Sequence, residues 1–454
     1  MCGIVGIYNH SAAAQLAANA MFAVQHRGQE ACGIAVSDGK VIRLRKKLGL
    51  VKEVFTPEEL EKLPGSIAIG HVRYPTRGSS TEFNSQPHIV ETLAGPCYTL
   101  ASNGDIVNYN EMKQNLEDKG VYFRSTNDGE LLLKYIIYKV EKENYSIIEA
   151  IKCLMKEVRG AYSTVLATRY ELYMFRDPHG FRPMSLGKTE EGAIVVASES
   201  CGLDIVGAKF ISKVKPAEII VANEKGIIRI DNDPNEYRDS DTPKHCAFEL
   251  IYFSRPDSYQ FYENVYNVRE RIGRKLAQLD KGFTPDLIVP VPDSSNFIAF
   301  GYAIEKKMNP TFGLIRNHYV GRTFIKTEQS IRDESVQQKF NTLPHTFEDK
   351  SIILIDDSMV RGTTIKKIIE MIYKAGAREV HLRLGSPEVK YPCFYGIDTP
   401  NSDELISNKM TLEEIIRDYK LASLKFVSID NLKDCVSMPD NYCMACFSGK
   451  YPVL

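Results

Sequence analysis

The stretch that most restricts the fold lies in the second half of the chain: Ser351 to Thr364, SIILIDDSMVRGTT. Ser351 to Ile355 is an apolar run of strand length, the pattern of a strand buried on both faces. It runs directly into two adjacent carboxylates, Asp356 and Asp357, then a short loop bearing hydroxyls and a glycine, then a helix beginning around Ile365. Apolar runs of the same kind recur at Asp286 to Val291 and Glu379 to Leu384, each with helical sequence nearby. Together they predict a parallel α/β sheet for this half of the molecule.

The first 230 or so residues have a different texture. CGIVGIY, SIAIGHVRY, YSTVLATRY and AIVVASES are short β-branched runs bounded by Gly, Asp or Pro. Ser11 to Gln25 is Ala-rich with apolar spacing and predicts a helix ending before Gly28; a second is expected from Asp128 to Glu141. The polar stretch Asp231 to Pro243 is the best linker. At 454 residues and 43% hydrophobic the chain exceeds one ordinary core, so we expect two domains, 2–235 and 236–454. Lys plus Arg number 57 and Asp plus Glu 58, which leaves no footprint for nucleic acid or an anionic membrane. No apolar run reaches the roughly 18 residues of a transmembrane helix, and the N-terminus lacks the pattern of a secretory signal. A cytoplasmic location is expected, and with it ten cysteines kept out of disulfides.

At the end of a buried strand, Asp356 and Asp357 can accept hydrogen bonds from ribose hydroxyls or face Mg²⁺. The loop Ser358 to Thr364 can wrap a phosphate with backbone N–H groups, hydroxyls and a helix N-terminus. Two aspartates before a glycine are more often a capped strand-turn-helix junction. The whole string, however, resembles the phosphoribosyl pyrophosphate (PRPP) signature of type I phosphoribosyltransferases. That resemblance assigns PRPP contacts to Asp356, Asp357, Ser358, Arg361, Gly362, Thr363 and Thr364. PVPDSSNFIAFGYA, 290–303, resembles the pyrophosphate-side loop, through Asp293, Ser294 and Ser295. The segment 317–341 resembles the loop that closes over PRPP, with Arg322, Lys326 and Arg332 facing phosphates; a solvated charged loop is the lesser alternative for the segment standing alone. Ser294, Asp356 and Asp357 are the implied Mg²⁺ ligands.

Cys2 is the key residue of the first half. If Met1 is removed, the chain begins with a cysteine whose α-amine, with a reference pKa of about 7.7–8.0, serves as general base beside the thiol. A cysteine near a terminus is ordinarily incidental. Here CGIVGIY, QHRGQEACGIA (25–35), HVRYPTRGSS (71–80) and NGDIVN (103–108) resemble, in order, the glutaminase domain of N-terminal nucleophile class II amidotransferases. The resemblance implies that Arg73 holds the α-carboxylate of glutamine and Asp128 its ammonium. Asn103 and Gly104 form the oxyanion hole, and Arg27 and Gly28 lie in the loop lining the glutamine pocket. Asp105 stands where many relatives carry Asn, with little expected effect on acyl transfer. No self-cleavage is expected beyond loss of Met1.

A glutaminase followed by a PRPP-binding half resembles one family, the amidophosphoribosyltransferases. The implied fold is an α+β N-terminal nucleophile hydrolase domain (αββα sandwich) followed by an α/β type I phosphoribosyltransferase domain. The implied reaction turns PRPP, glutamine and water into 5-phosphoribosylamine, glutamate and pyrophosphate, the first committed step of purine synthesis. A homo-oligomer (dimer or tetramer) inhibited by purine nucleotides is expected by the same route. A PRPP sensor without turnover would have no reason to keep a glutaminase half. An amidotransferase acting on a sugar phosphate would not carry IDDSMVRGTT. Finally, Cys443 and Cys446 form a CxxC pair, with Cys246 in HCAFELIYFSRPDS and Cys393 in YPCFYGIDTP. Buried structural cysteines are the ordinary reading of a lone CxxC. All four contexts resemble the iron–sulfur, Bacillus-type subclass, which implies a [4Fe–4S] cluster; a Cys₄ zinc site is the chemical alternative.

Overall fold

The computed structural model describes residues 1–75, 78–92, 95–237, 242–319, 338–399 and 401–454, and all statements below concern those residues. Two antiparallel sheets, of seven and six strands, lie face to face in the first half. Strand β1 (Gly3–Tyr8) runs in the middle of the larger sheet beside β2 (Ile67–Arg73), and β3 (Gly95–Ile106) pairs with β4 (Gly160–Ala167) in the smaller. Alternation decides which face goes where. Ile4 of β1 and Ile67 and Ile69 of β2 meet Ala101 of β3 and Val165 of β4 in the layer between the sheets. Val5, Ile7, Ala68 and Val72 point the other way, onto helix α1 (Ala13–Ala23). The alanines of α1 let it lie close: a Cβ added at Gly70 would fall 2.4 Å from Met21 Sδ. Helix α2 (Asp128–Glu143) covers the outer face of the smaller sheet, which completes four layers, αββα.

The second half is built on four parallel strands, β5 (Leu287–Pro290), β6 (Ser351–Asp356), β7 (Glu379–Leu384) and β8 (Ser423–Phe426), in that spatial order. Ile353 and Ile355 of β6 face helices α3 (Val265–Leu279) and α4 (Asn296–Lys306), while Ile352 and Leu354 face helix α5 (Thr363–Lys374). Burial on both faces is why the run is apolar throughout. α3 and α4 touch backbone to backbone, since a Cβ on Gly273 would sit 1.8 Å from Ile298 O and one on Gly301 1.9 Å from Glu270 O.

α1 falls inside the expected 11–25, and a 3₁₀ turn, Gln25–Arg27, leads it to Gly28. α5 begins two residues earlier than expected, because Gly362 takes a left-handed φ of 76° and turns the chain at once into the helix. A Cβ there would also lie 2.2 Å from the Tyr419 hydroxyl. All ten cysteines are free thiols. No helix among the described residues is long and apolar enough to cross a membrane.

Candidate functional site

The nucleophile candidate sits where β1 begins. Cys2 is buried, and its backbone N–H donates to Asn103 Oδ1 at 3.0 Å. Met1 is present in this chain and fully buried, so that N–H stands in for the α-amine that loss of Met1 would free. In the chain as it stands, burial lowers the Met1 amine to about 4. The Tyr74 N–H lies 3.4 Å from Cys2 Sγ. Burial pushes the thiol pKa up; Arg73 opposes that shift and Asp128 adds to it, so both charges are felt at the sulfur.

Asn103 is fully buried in β3, and among the described residues its Nδ2 has no hydrogen-bond partner. A buried amide donor left unpaired costs about 1–3 kcal/mol, so its presence beside a nucleophile points to a ligand oxygen. Next to it, Gly104 admits no side chain: a Cβ would lie 1.8 Å from Ala161 O. Gly28 is equally constrained, its Cβ position being 2.5 Å from the Arg73 carbonyl carbon and Val72 O. Arg73 is buried and donates to Glu30 (3.3 Å), Ser79 O (3.1 Å) and Gly78 O (3.2 Å). Asp128 opens α2 and is also buried.

Arg27 departs from the expected arrangement. Its loop borders the site, but its guanidinium is wholly buried and committed elsewhere. Nε donates to Cys2 O at 3.0 Å, while Nη1 and Nη2 meet Glu199 (2.6 Å) and Glu249 (3.0 and 2.7 Å). Burial would raise the Glu249 carboxyl pKa, but the Arg27 charge outweighs it and holds the group below the usual range. Arg27 thus braces the nucleophile from behind.

At the end of β6, Asp357 accepts from Ser294 Oγ at 2.5 Å and from Ser358 Oγ at 2.6 Å, and its N–H reaches Asp356 Oδ1 at 2.9 Å. The two carboxyls, the 294 loop and the start of α5 therefore converge. Burial, then the adjacent Asp357 charge, pushes Asp356 well above the usual carboxylate range, and burial also raises Asp357. Two carboxylates crowded in this way favour a cation between them and their ligand. Thr363 and Thr364 lie exposed in the first turn of α5.

Other expected PRPP contacts are placed differently. Ser295 is fully buried and its hydroxyl donates to Val291 O, so it braces the loop from inside. Asp293 is exposed and ion-paired to Arg316 at 2.6 Å. Arg361 sits at the loop's rim, 3.2 Å from Glu404. Arg322, Lys326 and Arg332 lie outside the described residues.

Cys246, Cys393, Cys443 and Cys446 line one small internal cavity with Phe181, Arg182 and Tyr395. Cys246 pairs with Cys443 in a short parallel ladder, and the Tyr395 N–H lies 3.3 Å from Cys393 Sγ. Burial pushes the thiols of Cys246, Cys443 and Cys446 up. Among the described residues no three His, Cys, Asp or Glu side chains are arranged to hold a single metal ion.

Sequence reasoning missed Glu199, Glu249 and the buried Arg269, which donates to Leu250 O at 3.0 Å and Ser254 O at 2.7 Å. Arg269 carried a readable signal, a charge on the apolar stripe of α3 between Val265, Val268 and Ile272; the glutamates carried none.

A glutamine amidotransferase domain model matches residues 76–204 and a phosphoribosyl transferase domain model residues 261–384. Amidophosphoribosyltransferase 2, chloroplastic, of Arabidopsis thaliana is 43% identical over 456 residues, covering 100% of this chain and 79% of that one. The amidophosphoribosyltransferase of Methanocaldococcus jannaschii is 41% identical over 464 residues, covering 100% and 98%. Among solved structures, glutamine PRPP amidotransferase from B. subtilis, complexed with ADP and GMP, superposes with a TM-score of 0.90 at 37% identity, covering 100% of this chain and 98% of that one. A second, described as the allosteric regulatory enzyme of purine biosynthesis, gives 0.91 at 38% identity, covering 100% and 96%. With both half-sites and full-length relatives in agreement, the chain belongs to the amidophosphoribosyltransferase family.

Proposed function

We propose that this chain makes 5-phosphoribosylamine from PRPP and glutamine, with Cys2 as the nucleophile and the Asp356–Asp357 loop as the sugar-phosphate site. The observation that carries the reading is the Cys2–Asn103 pair: one oxygen receives the nucleophile's nitrogen and the buried amide beside it is left with no partner. Once Met1 is lost, the α-amine takes the thiol proton as Sγ attacks the glutamine carboxamide carbon. The tetrahedral oxyanion is met by Asn103 Nδ2 and the Gly104 N–H, donors worth roughly 2.7–4 kcal/mol each in measured cases. The amine returns its proton to the departing nitrogen, ammonia leaves, and water cleaves the thioester to glutamate. Arg73 and Asp128 orient the substrate's carboxylate and ammonium. Ammonia, kept from bulk water where it would protonate, attacks C1 of the ribose, and pyrophosphate departs.

The crowded oxygens of Asp356, Asp357 and Ser294 suit Mg²⁺, which when bound supplies positive charge to the leaving pyrophosphate. The ribose hydroxyls fall to the same carboxylates and the 5-phosphate to the loop 358–364 and the N–H groups opening α5. Four free thiols round one cavity suit a [4Fe–4S] cluster, held by Cys246, Cys393, Cys443 and Cys446 and structural in role. A Cys₄ zinc site is the chemical alternative, because zinc accepts the same four ligands. Purine nucleotides as inhibitors extend the ADP and GMP bound in the B. subtilis relative; a homo-oligomer rests on the family resemblance alone, and a reducing, cytoplasmic setting suits the ten free thiols. The deciding assay is PRPP-dependent formation of glutamate and pyrophosphate, with and without ADP or GMP. Absence of either product refutes the reading.

A further inference from the structure

The amino-acid end of glutamine carries a carboxylate and an ammonium on one carbon, so a site that reads both needs a cation and an anion at a fixed spacing. Arg73 closes β2 in the larger sheet, and Asp128 opens α2 on the outer face of the smaller one. A third buried side chain joins the segments that carry them: Asn84, at the end of a 3₁₀ turn, Glu82–Asn84. Its Nδ2 donates to Ser79 O at 2.9 Å and to Ser79 Oγ at 3.3 Å. Ser79 O is the carbonyl that also accepts from Arg73 Nη1 at 3.1 Å. On the other side, Asn84 Oδ1 accepts from the Thr126 N–H at 2.9 Å and from Thr126 Oγ1 at 3.2 Å, just ahead of Asp128.

The junction leaves no slack. Gly78 has a left-handed φ of 82°, and a Cβ there would lie 2.4 Å from Thr126 Oγ1 and 2.8 Å from Asn84 Nδ2, so the two segments meet with no side chain between them. A primary amide suits such a bridge because it offers donor and acceptor from one rigid group, whereas a carboxylate would turn an acceptor toward Ser79 O. Gln86 repeats the device on the oxyanion strand. Its Oε1 accepts from the Ser102 N–H at 2.7 Å and its Nε2 donates to Ser102 O at 3.2 Å, gripping the residue before Asn103 by both backbone groups. A Cβ on Gly129, the residue after Asp128, would lie 2.6 Å from Gln86 Oε1. The short segment 84–86 therefore braces the mounts of Arg73, Asn103 and Asp128 together.

We propose that Asn84 is a positioning residue for glutamine, fixing the spacing between Arg73 and Asp128 so that both charges of the head group are met at once. This rests on the functional reading above, which gives Arg73 and Asp128 their roles. The consequence is selectivity. A cation and an anion set in place before the ligand arrives favour an α-amino acid over molecules that carry one of its charges or neither, because the ordering cost is already met. Without the amide bridge, either charge can still be reached, but the two no longer act as a unit.

The test uses the full chain and two labels for Cys2. One is the diazoketone analogue of L-glutamine, which carries the amino-acid head group; the other is iodoacetamide, which has none. A misplacement of about 1 Å can cost about 10²-fold, so Asn84→Ala should lower kcat/KM for glutamine by about 10–10²-fold, chiefly through KM. Labelling of Cys2 by the diazoketone should slow by the same factor, and its alkylation by iodoacetamide, read by peptide mass, should stay within about twofold. Ammonia-dependent synthesis should also hold within about twofold, since the sugar site is built by the other half of the chain. Thr126→Val removes only the hydroxyl that reaches Asn84 Oδ1. It should shift the glutamine KM in the same direction by a smaller factor, and it decides the matter if Asn84→Ala does not fold. A wild-type glutamine KM in whichever variants fold overturns the proposal. So does a fall carried by kcat alone, or an equal slowing of both labels, the mark of a merely structural residue. A wild-type enzyme that releases no glutamate sinks the functional reading itself.

Discussion

Asn103 performs two tasks with two atoms, and two substitutions separate them. Asn103→Asp keeps an oxygen for the Cys2 nitrogen, now 3.0 Å away, and deletes the buried Nδ2 donor. Loss of one oxyanion donor costs about 10²–10³ in kcat. The new carboxylate also faces the developing oxyanion with a like charge, so the expected loss is at least about 10³. The same carboxylate beside the α-amine favours the protonated amine and raises its pKa. Residual activity should then rise toward alkaline pH, because the base is free only above that shifted value. Asn103→Ala removes both contacts without adding charge and should lose comparable activity with no alkaline shift. The assay is glutamate release against pH, with ammonia-dependent synthesis as the internal control. An Asn103→Asp enzyme within tenfold of wild type on glutamine, or one that loses ammonia-dependent activity equally, refutes the assignment.

Cys2→Ser should abolish glutamine-dependent synthesis and spare ammonia-dependent synthesis, and mass spectrometry of active wild-type protein should find Met1 absent; equal loss of both activities or a retained methionine contradicts the mechanism. Asp356→Ala with Asp357→Ala should end PRPP turnover with either nitrogen source while leaving slow glutamine hydrolysis, measured as pyrophosphate against glutamate. Both carboxyl pKa values are raised on folding, so the folded state binds more protons and loses stability as pH rises through them. Mg²⁺ should therefore raise the melting temperature more at pH 7.5 than at pH 5, and an equal or reversed effect argues against a cation there. Ser294→Ala should raise the KM for PRPP, whereas Ser295→Ala should leave KM unchanged and cost about 1 kcal/mol of stability in denaturant titration. Anaerobically purified protein should contain iron and acid-labile sulfide, and loss of the cluster in air should inactivate both half-reactions together; stoichiometric zinc without iron would remove the cluster and leave the catalytic roles standing.

Where each half's chemistry lies was legible because it is local in sequence. SIILIDDSMVRGTT carries strand, acid pair, loop and helix start in fourteen consecutive residues, and the structure builds them in that order. Asn103 was legible only by resemblance, since NG by itself signals a turn and not the interior of a strand. Side-chain direction was not legible. Ser294 and Ser295 are chemically identical neighbours, yet one meets Asp357 and the other caps Val291 O, a choice made by the entry into α4. The direction of the Arg27 side chain was hidden for a related reason: its partners Glu199 and Glu249 are 172 and 222 residues distant, and no local pattern announces a pairing at that separation. Arg73, expected to await a carboxylate, is held by Glu30 and the 78–79 carbonyls, contacts visible only once the loop is folded.

The backbone contacts of Gly273 with Ile298 and of Gly301 with Glu270 bear on how this half of the protein can be rebuilt. With atoms of either helix entering the other's backbone space at 1.8 and 1.9 Å from the missing Cβ positions, there is no side-chain layer to absorb a mismatch. Neither helix is a replaceable part. A chimera that imports α4 with its loop from another phosphoribosyltransferase must import α3 as well, and with it Arg269 and whatever the donor places beneath it. Grafted singly, either helix would be pushed away by a whole side-chain diameter, and the acid pair at the end of β6 would face a loop no longer in reach. The pair is the smallest unit in which the pyrophosphate side of this site can be transplanted.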